Sequence, residues 1–287
     1  MRIVAMLQVY NERRFIAGCI EHLHEQGVGV YVIDNESSDD TLQIAERYEG
    51  RGVVGIETLP RDGTFALNPQ CERQEQLART LDADWLMHHD ADEIRVSPTR
   101  GQTLAEAIAE VDEAGFNAVN FFEFTFLPVR ESPDHDHPDF QRTMHWYYPF
   151  LPWFPARLNA WKRQDGPIDL TTMGGHQVKF EGLAMAPESL YMRHYLYLSA
   201  EHAREKFLQR RYSAKEVDEG FHGWRAKVQE QHIELPSESE VPGRYEYGDD
   251  HLLDPSNPFK HHLMEPAKEK PTGLRARGRR ALRSLRS

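Results

Sequence analysis

Only two cysteines, Cys19 and Cys71, occur among the 287 residues, and neither falls in a spacing used for structural zinc or thiol redox chemistry. That argues against the disulfide framework of a small secreted domain and makes a reducing cytoplasm the expected setting. Long apolar runs are missing too. No stretch approaches the roughly 20 residues that span a bilayer, and the opening MRIVAMLQVYNE meets Gln8 and Asn11 too early for a signal-peptide core. Positive charge is short: 34 Lys and Arg face 46 Asp and Glu, a net charge of −12. A main body that wraps nucleic acid needs the opposite balance.

The exception is the end. Residues 268–287 carry eight Lys and Arg against one Glu, which predicts an anionic partner for the tail alone. Leu274, Ala281, Leu282 and Leu285 fall near one helical face, so attachment to an anionic membrane surface is one expectation. A disordered solubilising tail is the other, since Gly278 weakens a helix.

What is present reads as a folded chain. Hydrophobic residues at 39% and charged residues at 28% match globular averages, and the length admits one large α/β domain or two fused halves. Residues 2–9 read as a buried strand, followed by a helix that places Phe15, Ile16, Cys19, Ile20 and Leu23 on one face, closed by Gly27 and Gly29. Residues 28–33, 53–59, 84–89 and 116–122 read as further strands, with helical patterns over 39–48, 69–81 and 104–114. Strands alternating with helices predict a doubly wound, mostly parallel sheet whose ligands gather at the strands' carboxyl ends, where Asn11, Asp34 and Asp90 sit. Past Phe126 the pattern becomes irregular, with a helix returning at 200–212 and a polar loop over 237–258.

The most specific feature is Trp85-Leu-Met-His-His-Asp90-Ala-Asp92-Glu93, an apolar strand that delivers two carboxylates spaced i, i+2. Mg²⁺ or Mn²⁺ takes one or two carboxylates plus phosphate oxygens, and so neutralises charge on a departing diphosphate. Asp-x-Asp alone is a weak signal; its place at a buried strand's end gives it weight. The second feature is Ile33-Asp34-Asn35-Glu36-Ser37-Ser38-Asp39-Asp40-Thr41, where a strand ends in groups able to accept from a base N–H or a ribose hydroxyl. Ser38 or Asp39 also suits the N-cap of the helix that follows.

With Val9-Tyr10-Asn11-Glu12 after the first strand, these three motifs stand in the order and spacing of glycosyltransferase family 2, which the chain resembles over about its first 125 residues and more weakly to about Lys206. The resemblance implies a GT-A-like α/β fold with an irregular acceptor-side half and a helical C-terminal region, a nucleoside-diphosphate sugar donor, and Mn²⁺ or Mg²⁺. Residue by residue it implies Glu12, Asp34 and Asn35 near the nucleoside and Arg73 near the donor. Arg73 departs from the family's Arg-Asn, since Gln74 follows, and an ordinary helix-surface arginine fits as well. For the cation the resemblance implies Asp90 and Asp92, with His194 in Met192-Arg193-His194-Tyr195 completing the shell or serving as a hydrogen-bonded structural histidine. Gly174-Gly175-His176 resembles the acceptor loop.

A base for the acceptor hydroxyl is open among His176, Glu123, Asp169 and Glu181. Residues 145–155 are rich in aromatics and proline and provide mostly core, with one or two rings for a carbohydrate or lipid-linked acceptor; Asp134-His-Asp-His137 reads as a solvated loop. The expected division is a donor-binding half over 1–125, an acceptor-side half over 126–265 and a basic tail over 266–287, in a cytoplasmic enzyme that is either free or held at the inner face of the membrane. Three rivals remain. A nucleotidyltransferase needs a glycine-rich loop that Tyr10-Asn11-Glu12 lacks, and a hydrolase using His88 and His89 meets their opposite orientation along a strand. A noncatalytic sugar- or nucleotide-binding protein of the same fold carries the same pattern, and turnover separates it from an enzyme.

Overall fold

The computed structural model describes residues 1–151 and 156–265; the basic tail and Trp153 lie outside the described residues. Four parallel strands form the centre: β1 (Ile3–Val9), β2 (Val28–Asp34), β3 (Val53–Thr58) and β4 (Trp85–Asp90), in the spatial order β4-β1-β2-β3. Three helices connect them, α1 (Ile16–Glu25), α2 (Thr41–Glu46) and α3 (Asn68–Thr80), because parallel neighbours need a crossover.

Alternation along β1 assigns the helices to faces. Ile3, Ala5, Leu7 and Val9 pack with Ile16, Cys19, Ile20 and Leu23 of α1, whereas Val4 and Met6 pack with Cys71, Leu77 and Ala78 of α3. The strand is buried on both sides. This is the doubly wound α/β arrangement that the strand and helix periods predict.

Beyond β4 the sheet continues with largely antiparallel pairing. β5 (Glu93–Val96) follows β4 after a two-residue turn, then come α4 (Leu104–Glu113), β6 (Ala118–Phe126), α5 (Phe140–Thr143), β7 (Trp146–Phe150), β8 (Leu158–Lys162) and β9 (Leu190–Tyr195). β8 lies antiparallel between β4 and β6, and β9 pairs parallel with β6 and antiparallel with β5. Loops rather than helices join most of these strands, so antiparallel neighbours become possible. α6 (Ala200–Leu208), capped by the Ser199 hydroxyl on the His202 N–H, and α7 (Ala214–Asp218) follow. After them the described chain holds short 3₁₀ turns and β10 (Gly243–Arg244) rather than further α-helices.

Two local expectations need correction. Gly27, at φ +78°, does close the turn after α1, but Gly29 is inside β2. α2 begins at Thr41, where Asp39 accepts from the Thr41 N–H at 3.0 Å. The Asp134–His137 stretch is a loop, in which His135 is taken up by Thr143 and Ser132.

Candidate active site

The carboxyl ends of β1 and β4 open into a cavity of about 500 Å³, lined among others by Glu12, Asp90, Asp92, His176, His194 and Lys206. Asp90 is the last residue of β4, with its side chain 45% exposed. Asp92 follows two residues later, and its carbonyl accepts from the Tyr195 N–H at 2.8 Å, which docks the turn against β9. Both carboxylates thus reach one cavity.

Pairing of β5 with β9 sets Glu93 opposite His194, and pairing of β6 with β9 sets Thr125 opposite it. His194 Nδ1 lies 2.7 Å from Glu123 Oε1, and its Nε2 lies 3.6 Å from Asp92 Oδ2. Glu123 also holds Arg157 through Oε2 at 2.5 Å and accepts from the Thr125 hydroxyl at 3.0 Å. Lys206, on the last turn of α6, donates to Asp92 Oδ2 at 2.5 Å and to the Leu196 carbonyl at 3.0 Å. One buried chain of charge therefore runs from Arg157 through Glu123, His194 and Asp92 to Lys206.

The titration of these groups follows from that chain. Burial opposes ionisation of Asp92, but Lys206 and His194 outweigh it and hold the carboxyl well below its ordinary range. For His194 burial works against the charge, yet Glu123 and Asp92 on its two nitrogens push it up to about 9. Glu123 is likewise held far down by Arg157 and His194 against its burial. Glu12 goes the other way: burial raises it to about 7 despite Lys206 and Arg210, the latter 3.4 Å away. Asp90 is raised by partial desolvation at the cavity wall and then by the charge of Asp92.

The remaining predicted residues separate. Arg73 is not at the cavity, because its guanidinium is bidentate on Glu57 at 2.6 and 2.7 Å; from α3 it is Gln70 that lines the cavity, while the buried Gln74 bridges the Met6 carbonyl and His88 Nδ1. Asn35 ties strand ends together by donating to the Leu59 carbonyl at 3.0 Å. Asp34 is buried beneath the same loop; Oδ2 accepts from the Ser37 N–H at 3.1 Å and Oδ1 has no partner among the described residues. Neither Asp34 nor Asn35 lines the cavity.

The two catalytic candidates, Glu123 and His176, both meet Arg157. Glu123 does not line the cavity; its side chain is fully buried against Arg157, His194 and Thr125. His176 lines the cavity, but its Nδ1 accepts from Arg157 at 3.0 Å, and burial together with that guanidinium holds it neutral. Its free Nε2–H is a donor rather than a base. The loop before it does need glycine: a Cβ at Gly175, which sits at φ +79°, would meet the His88 ring at 2.6 Å. Arg157, Lys206 and Arg210 were not anticipated from sequence, since their partners lie far away along the chain.

Residues 3–233 match glycosyltransferase family 92, and the chain belongs to that family. The motif resemblance to family 2 therefore holds at the level of a glycosyltransferase. The uncharacterised proteins Rv3786c of Mycobacterium tuberculosis and Mb3815c of Mycobacterium bovis are each 34% identical to it over 95 residues, 32% of this chain. The chain spans 23% of the length of each. Among solved structures, S. aureus TarS 1-349 in complex with UDP-GlcNAc is 16% identical, covering 81% of this chain and 69% of that one at a TM-score of 0.39. Glucosyl-3-phosphoglycerate synthase of Mycobacterium tuberculosis, solved with Mn²⁺, UDP and phosphoglyceric acid, is 19% identical, covering 42% and 43% at a TM-score of 0.29.

Proposed function

We propose that the chain transfers a glycosyl group from a nucleoside-diphosphate sugar, bound with Mn²⁺ or Mg²⁺, to an acceptor hydroxyl in the same cavity. The observation that carries this reading is the bond from His194 Nδ1 to Glu123. With Nδ1–H donated there, His194, which is held protonated in the empty site by Glu123 and Asp92, offers an Nε2 lone pair beside Asp92 once a cation displaces that proton, the carboxylate–histidine arrangement that metal ligands use.

The donor set fits such an ion. Among the described residues no group of three or more His, Cys, Asp or Glu side chains is already assembled to hold a metal, and an ion that keeps phosphate oxygens among its ligands needs only one or two carboxylates from the protein. Asp92 and His194 would hold it, with Asp90 beside them, and it would neutralise charge on the leaving diphosphate. Lys206, now on Asp92, has to release that oxygen to admit the ion.

The protein's own groups supply the rest. The bond from the anomeric carbon to the diphosphate oxygen breaks with its electron pair leaving on the diphosphate, while the acceptor oxygen bonds to that carbon and passes its proton to the carboxylate of Asp90, which faces the same cavity. Lys206 and Arg210 place positive charge where the diphosphate departs. Glu12 meets the nucleoside from the end of β1, and Asp34 keeps its assigned contact through the unpartnered Oδ1, which a base N–H satisfies if the turn over residues 36–39 yields. Glu123 positions His194, and His176 donates Nε2–H to a sugar hydroxyl.

Release of nucleoside diphosphate from a panel of nucleotide sugars in Mn²⁺ tests the reading. Wild type turns over at least one donor faster with an acceptor mixture present, and Asp92→Ala lowers that rate about 100-fold or more. A folded wild type that releases nothing from any donor contradicts it, and favours a binding protein of the same fold.

A further inference from the structure

Across the Glu12–Arg210 pair lies a second cavity of about 650 Å³, which shares Tyr10, Glu12, Lys206 and Arg210 with the first and adds Arg13, Arg14, Arg61 and Arg211. Its acids are already engaged. Asp39 accepts from Thr41, Glu205 pairs with Arg14 at 2.8 Å, Glu201 with Arg204 at 3.2 Å, and Glu12 with Arg210 at 3.4 Å. Its bases are not matched. Arg13, Arg61 and Arg211 have no carboxylate within ion-pair distance among the described residues.

Arg61 is the clearest case. Its guanidinium stacks on the Tyr10 ring at 3.3 Å from the centroid, its Nη1 is buried without a hydrogen-bond partner, and burial and the like charge of Arg210 disfavour its charged form. The fold holds Arg211 nearby: Phe65 N–H donates to the Arg211 carbonyl at 2.7 Å and Ser213 N–H to the Phe65 carbonyl at 2.9 Å. Two chain segments 150 residues apart are thus zipped so that their arginines share one cavity. A part-buried guanidinium with an orphan donor and the like charge of Arg210 nearby is costly unless an anion completes it.

We propose that this second cavity is a subsite for a phosphate oxyanion, held by Arg61 and Arg211 with Arg13 at its rim. The oxyanion comes from an acceptor that carries phosphate or from the donor's own diphosphate. Arg13, Arg61 and Arg211 do not line the cavity that holds Asp92, so the subsite does not require the catalytic reading to hold.

The test is binding of inorganic phosphate followed by ³¹P line broadening and calorimetry, without metal. Wild type and Asp92→Ala bind it, while Arg61→Ala/Arg211→Ala binds about tenfold more weakly or less. Arg61→Lys/Arg211→Lys, with the charge retained, recovers part of the affinity, and matched melting temperatures in phosphate-free buffer show that the variants fold. Repeating the titration with Mn²⁺ and saturating nucleoside diphosphate separates the sources: simultaneous binding assigns the subsite to the acceptor, mutual exclusion to the donor. Equal phosphate affinity in wild type and the alanine double variant overturns the proposal, as does a folded wild type that binds none.

Discussion

Glu123 and His194 meet at 2.7 Å across the β6 and β9 pairing, and this one contact decides which imidazole nitrogen faces Asp92. Glu123 also carries the buried guanidinium of Arg157. Glu123→Gln therefore removes two functions at once: it frees the histidine tautomer and leaves Arg157 uncompensated. The expected outcome is about 10- to 100-fold weaker Mn²⁺ binding in the presence of nucleoside diphosphate, with about 3–5 kcal/mol less stability. Electron paramagnetic resonance titration and denaturant unfolding measure the two separately. Unchanged Mn²⁺ affinity in the folded variant removes Glu123 from the site.

Acid stability follows from histidines that are held neutral in buried or part-buried positions. His22 lies against the sheet with Nε2 on the Arg95 carbonyl at 2.8 Å, and burial, aided by the Arg193 charge, lowers it to about 4. Unfolded, it titrates at its ordinary 6.5. Between these values the unfolded chain binds more protons, so stability falls as pH drops from 6.5 toward 4, by up to about 1.4 kcal/mol per pH unit for this group. His88 and His262, lowered to about 4 and about 3 by burial, act with the same sign. His22→Gln should show a shallower loss of stability over that window in urea unfolding at stepped pH. An unaltered slope means His22 is not the group responsible.

Arg73 offers the converse test. Because its guanidinium is spent on Glu57 at the partly exposed surface of α3, Arg73→Ala should leave nucleoside diphosphate affinity unchanged and cost about 0–1 kcal/mol in stability. A large loss of nucleotide affinity returns Arg73 to the donor site.

The parts of this site that were legible in sequence are those encoded by local period. An apolar strand running into Asp90-Ala91-Asp92 announces two carboxylates at a sheet edge, and the facial alternation of β1 follows from its residues alone. His194 was legible only through family resemblance, although Leu190-Tyr-Met-Arg-His-Tyr195 has the aromatic and apolar content of a strand. What escaped was set by topology. Lys206 reaches Asp92 over a separation of 114 residues and Glu123 reaches His194 over 71, distances at which no spacing rule operates. Glu123 and His176 are candidates for a base by residue type, and that both meet Arg157 is set by topology rather than by spacing. β5 was hidden because four residues directly after a turn carry too little pattern to separate from it.

The central claim is that Asp92 and His194 hold a divalent cation together with a diphosphate. Calorimetric titration of UDP, GDP and ADP into wild type and Asp92→Ala, each with and without Mn²⁺, tests it most directly. The account predicts that Mn²⁺ tightens binding of at least one nucleotide to wild type by about tenfold or more, and that Asp92→Ala loses this gain while keeping its fold. Equal affinity with and without Mn²⁺ for every nucleotide that wild type binds would contradict it.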